Sequence, residues 1–159
     1  MNSNTIRNLA IQFRQGIEYA IECGAITPRN TRTTLPQFPR GCCEIASDLL
    51  AEYFLENGIV THSVHGEYCF DYYENKYPHT WLETKDGYII DITADQFQNQ
   101  PGFEKAELSS CYVGRGSVVH GLFDSDRRID PDFSGLCFYN EAYQEMLIPM
   151  YRIIKEYLR

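Results

Sequence analysis

His79-Thr80-Trp81-Leu82-Glu83-Thr84-Lys85-Asp86-Gly87-Tyr88-Ile89-Ile90-Asp91-Ile92-Thr93 decides how this chain folds. Two runs rich in β-formers flank Asp86-Gly87, the pattern of a β-hairpin. Lys85-Asp86-Gly87 fits a loop of three residues, a type I turn with Gly in the left-handed position. Thr84 then opposes Tyr88, Leu82 opposes Ile90, and Thr80 opposes Ile92, giving one face with an apolar centre. The other face carries His79, Trp81, Glu83, Ile89, Asp91 and Thr93. His79 and Asp91 become diagonal neighbours, about 7–8 Å apart at the backbone and within reach of an imidazole–carboxylate hydrogen bond. A two-residue loop would put them on opposite faces.

Upstream of the hairpin, Phe38-Pro39-Arg40-Gly41-Cys42-Cys43 ends a loop over residues 27–41 that carries three prolines. Ala46, Leu49, Leu50, Tyr53 and Phe54 then recur at helical spacing, and Asn57-Gly58 supplies the stop. Cys43 therefore stands at a helix start. Ile6, Leu9, Phe13, Ile17 and Ile21 predict a first helix over residues 5–23, closed by Gly24. Residues 59–73 read as one strand. The stretch 95–132 reads as loop-rich, with short strands expected near 111–113 and 117–122. Residues 139–158 read as a final helix, kinked or broken at Pro149. The order helix, helix, small antiparallel sheet, helix makes the class α+β.

A chain of 159 residues is the length of one domain, taken as 1–159. The net charge of −8 argues against a nucleic-acid or anionic-membrane partner, which would need clustered Lys and Arg. No run approaches the roughly 20 apolar residues that span a bilayer. The N-terminal residues lack a basic segment followed by an apolar one, so a cytoplasmic location is expected, or export without a cleavable signal. Six cysteines without a secretory signal are expected to be reduced thiols.

A thiol, an imidazole and a carboxylate in the order Cys43, His79, Asp91 can form a nucleophile–base–orienter triad. The positive end of the helix at Cys43 and an imidazolium partner both lower a thiol pKa. His79 would take the thiol proton and return it to a leaving group, while Asp91 fixes its tautomer. The Cys43 backbone N–H, at the helix start, is an available oxyanion donor. Gln37 is a second candidate.

Gly41-Cys42-Cys43, His79-Thr80-Trp81 and Ile90-Asp91-Ile92-Thr93-Ala94-Asp95-Gln96-Phe97 together resemble the papain-like/transglutaminase-like cysteine enzyme superfamily, and small bacterial domains of that kind in particular. The resemblance spans roughly residues 37–97. It implies a compact papain/transglutaminase-like core with the nucleophile, Cys43 rather than Cys42, at a helix N-terminus packed on a small antiparallel sheet. It also implies that Gln37, six residues before Cys43, helps form the oxyanion hole, and that the substrate is a protein or peptide amide. Glu44 stands where animal transglutaminases and papains usually carry an aromatic residue. Peptide cleavage, glutamine deamidation and transamidation all remain open. A catalytically silent protein-binding module on the same fold is the alternative.

Other motifs carry less. His62 and His65, three apart on a strand, point to opposite faces and make poor joint zinc ligands. Asp124-Ser125-Asp126-Arg127-Arg128-Ile129-Asp130 lacks the Gly and Glu of a calcium loop and reads as a solvated loop. Gly114-Arg115-Gly116-Ser117 is too short for a phosphate loop. No metal or cofactor is expected.

Overall fold

A hairpin centred on the predicted three-residue loop organises the molecule. The computed structural model describes residues 2–70 and 75–159. Leu82 pairs with Ile90 and Glu83 with Ile89, the register deduced from the sequence. Gly87 holds φ +79°, and its N–H donates to the Thr84 carbonyl, so the turn has its left-handed residue where expected.

The described elements are α1 (Ser3–Glu22), α2 (Cys43–Glu56), β1 (Thr61–Cys69), β2 (Lys76–Thr84), β3 (Ile89–Asp91), β4 (Tyr112–Gly114), β5 (Asp124–Asp132) and α3 (Glu141–Glu156). The class is α+β, as predicted. The strands form one antiparallel sheet in the order β4-β3-β2-β1-β5, so β2 is central. The last residues of the strand expected over 59–73 lie outside the described residues.

One face of the sheet, through Leu82, Ile90 and Val113, meets the apolar stripes of the three helices, including Phe13, Leu50, Phe54 and Ile154. The opposite face, through Val64 and Trp81, packs on Phe97, Phe103, Val119 and Phe123. Gly66 on β1 is required by that second packing. A Cβ there would stand 2.7 Å from the Phe123 Cβ and 3.1 Å from the Trp81 ring.

Two expectations are corrected. Residues 117–122 do not extend into a strand; His120–Leu122 form a 3-10 turn. Asp124–Asp132 is a strand, not a free loop, because its backbone pairs with β1 at the sheet edge. Charged side chains and a proline suit such an edge, where they discourage pairing with another chain. Of the kink or break expected at Pro149, the break does not occur: α3 runs through it. Pro149 is exposed, while Leu147, Met150 and Ile154 hold the helix to the core. Among the described residues, no helix is long and apolar enough to cross a membrane.

Candidate active site

Cys43 opens α2 at the mouth of a cleft of about 380 Å³, lined also by Glu44, Tyr77, His79, Gln96 and Phe97. Gly41, at φ +64°, turns the chain into the helix. No side chain caps this end, and the first helical bond runs from the Ala46 N–H to the Cys42 carbonyl. The N–H groups of Cys43, Glu44 and Ile45 thus have no acceptor within the helix, and their partial positive charge faces the cleft end. Burial pushes the Cys43 thiol up, but a hydrogen bond and charge from His79 and a bond from the Thr80 N–H bring it below its ordinary value. Cys42 behaves oppositely. It is 2% exposed, and burial pushes its thiol up to about 12. The two adjacent thiols are thereby pushed in opposite directions, Cys43 toward the thiolate and Cys42 away from it. All six cysteines are free.

His79 is buried on the face of β2 shared with Trp81, its ring meeting Phe97 edge-on at 5.0 Å and Phe123 at 5.2 Å. Its Nε2–H donates to Asp91 Oδ2 at 2.6 Å, leaving Nδ1 for the thiol. Burial opposes a charge on His79, yet the Asp91 carboxylate, with help from Cys43, raises its pKa to about 9. Burial likewise opposes the Asp91 charge, and His79 and His120 together hold the carboxyl far below the usual range. Asp91 Oδ1 accepts from the Thr93 N–H at 2.8 Å and the Thr93 hydroxyl at 3.1 Å. Oδ2 accepts a second time, from His120 Nε2–H at 2.9 Å.

The structure therefore brings together Cys43, His79 and Asp91, the last two side by side through the hairpin register. Gln37 is elsewhere. It ends a 3-10 turn, is exposed, and does not line the cleft. The glutamine that does line it is Gln96, with Nε2 3.2 Å from His79 Nδ1 and Oε1 3.4 Å from the Gly41 N–H. Gln96 lies in the Ile90–Phe97 string on which the resemblance rests, but no spacing rule marked it. His120 carried no signal either, being 29 residues from Asp91 in the chain.

Among the described residues, His79, Asp91 and His120 are the group whose candidate metal-binding atoms lie within 4.8 Å of one another. His79 and His120 each place Nε2 against Asp91 Oδ2, at 2.6 and 2.9 Å. His62 instead faces Glu83 and Asp132, and His65 bonds Asp130 and Thr80. The chain matches no family model, no curated protein and no solved structure.

Proposed function

We propose that this protein is a cysteine-dependent acyl-transfer enzyme on a papain/transglutaminase-like core, acting on protein or peptide amides through Cys43, His79 and Asp91. One observation carries the reading: a thiol at an uncapped helix N-terminus lines one cleft with a buried imidazole that lowers its pKa, and the imidazole's Nε2 is fixed by a buried carboxylate 2.6 Å away. A histidine kept for packing alone needs no such charged partner, and burying the pair costs several kcal/mol unless both charges are satisfied.

The Cys43 sulfur attacks the amide carbon, and the C=O electron pair moves onto oxygen. We assign that oxyanion's donors to the Cys43 N–H at the helix start and to Gln96, which lines the same cleft and takes the role expected of Gln37. His79 Nδ1–H protonates the departing nitrogen as the C–N bond breaks, leaving a thioester. Water or an amine then attacks the thioester carbon, His79 accepts its proton, and the C–S bond breaks. Hydrolysis, deamidation and transamidation differ only in that second nucleophile and in whether the first leaving group is ammonia or a peptide amine.

Iodoacetamide labelling at about pH 6, with sites assigned by mass spectrometry, tests the proposal, because an ordinary thiol is almost wholly protonated there. Fast labelling confined to Cys43 and slowed by His79→Ala or Asp91→Ala is expected. Slow, unselective labelling of folded protein would overturn the enzyme reading and favour a binding module.

A further inference from the structure

We propose that His120 is a positioning residue of the active site, oriented by Ser117, which locks the Asp91 carboxylate toward His79. The inference rests on the proposed function and extends the triad by two residues.

Asp91 is 2% exposed, so every acceptor position on its carboxylate must be filled by protein. Thr93 fills those on Oδ1. His79 alone on Oδ2 would leave the carboxylate free to pivot about the Thr93 bonds. The 2.9 Å bond from His120 Nε2–H removes that freedom. His120 is itself fixed, because the Ser117 hydroxyl donates to its Nδ1 at 2.7 Å and sets the tautomer with hydrogen on Nε2. Its ring stands edge-on to Trp81 at 5.1 Å and beside Tyr112 at 5.3 Å. A histidine serving only as filler needs neither partner, and an aliphatic residue would fill the space without burying polar atoms. The 3-10 turn His120–Leu122 brings the ring under the sheet, which gives a purpose to the Gly116-Ser117 segment that no phosphate-loop reading could.

The experiment compares His120→Leu, His120→Gln and Ser117→Ala with the wild type. Cys43 labelling at pH 6 is read beside the melting temperature and the downfield proton resonance of the His79–Asp91 bond. Misplacing a catalytic group by about 1 Å can cost about a hundredfold, so His120→Leu is expected to slow labelling roughly tenfold to a hundredfold. His120→Gln, which restores an N–H at similar reach, is expected to recover most of the rate. Ser117 is only half-buried, so Ser117→Ala tests the same chain of contacts without opening the core, and a shifted or broadened resonance is expected. Wild-type labelling undiminished in both His120→Leu and Ser117→Ala would overturn this inference and leave the proposed function standing. So would equal losses in His120→Leu and His120→Gln that track melting temperature alone. One equivalent of zinc or iron in the wild type, absent from His120→Leu, would overturn it in favour of a metal centre. An unreactive Cys43 in the wild type would instead sink the proposed function, and this inference with it.

Discussion

Gln96 and Gln37 separate what residue type implies from what position allows. Both are amide donors, but only Gln96 lies in the cleft with Cys43 and His79. Removing an oxyanion donor typically costs about 10²–10³ in turnover, and Gln96→Ala is expected to lose that much once an amide substrate is in hand. Gln37→Ala is expected to stay within about twofold, because an exposed side chain outside the cleft touches no reacting atom. Equal losses in the two variants would return the role to Gln37. The His79–Cys43 pair makes a second prediction at this scale. Acylation needs a protonated His79, and its pKa is raised to about 9, so amide turnover should fall as pH rises through about 9. Alkylation needs only the thiolate, so labelling of Cys43 should not fall there. Parallel decline of both rates above pH 9 would show that His79 is not the proton donor.

At the scale of elements, Asp48 ties α2 to α3. It is 4% exposed and accepts from the Tyr139 hydroxyl at 2.9 Å and the Tyr143 hydroxyl at 2.7 Å. Burial raises its pKa to about 6, against the two tyrosine bonds that lower it. An unfolded Asp titrates near 4, so between about pH 4 and 6 the folded state holds more protons than the unfolded one. Stability therefore falls as pH rises through that window, by about 2–3 kcal/mol at most. Asp91 contributes the opposite slope below about pH 4, since its folded pKa is depressed. Asp48→Asn should abolish the fall between pH 4 and 6, as urea unfolding at several pH values would reveal. An unchanged slope would assign it to another group. Asp48 also shows why the sequence could be read only in part. The apolar period of α2 was plain, yet a buried carboxylate within it depends on tyrosines 91 and 95 residues away. The hairpin was legible because turn type and register are local. Strand β5 was not, because its nine residues pair through backbone at an edge and carry no β-forming pattern. The nearness of His79 to Asp91 was legible for the same reason as the hairpin, and Cys43 was marked by the helix that starts there. Gln96 and His120 were not, since loop paths rather than periodicity bring them in.

Across the whole molecule, Arg14 connects the first helix to both loops that meet at the cleft. Its guanidinium is bidentate to Asp95 at 2.8 and 2.9 Å, and it donates to the carbonyls of Ile92 at 2.7 Å and Ser110 at 2.6 Å. It also lies over the Phe38 ring at 5.0 Å. Phe38 precedes the turn into Cys43, while Ile92 and Asp95 flank the path from Asp91 to Gln96. One buried side chain on α1 therefore sets the spacing of segments that lie far apart in sequence. Such a residue has two separable effects. Removing one partner of a buried ion pair typically costs about 3–5 kcal/mol, and Arg14→Met should fall at the low end because the Asp95 side chain is 24% exposed. Arg14→Lys keeps the charge but not the fork geometry, so it should recover only part of that loss. If Arg14 also sets the cleft, Cys43 labelling in fully folded Arg14→Met, well below its unfolding transition, should slow by roughly tenfold, the scale of a small misplacement of reacting groups. A variant that melts earlier yet labels Cys43 at the wild-type rate would confine Arg14 to stability. The cleft would then be set by the hairpin and α2 alone, with the N-terminal helix a buttress rather than part of the active site.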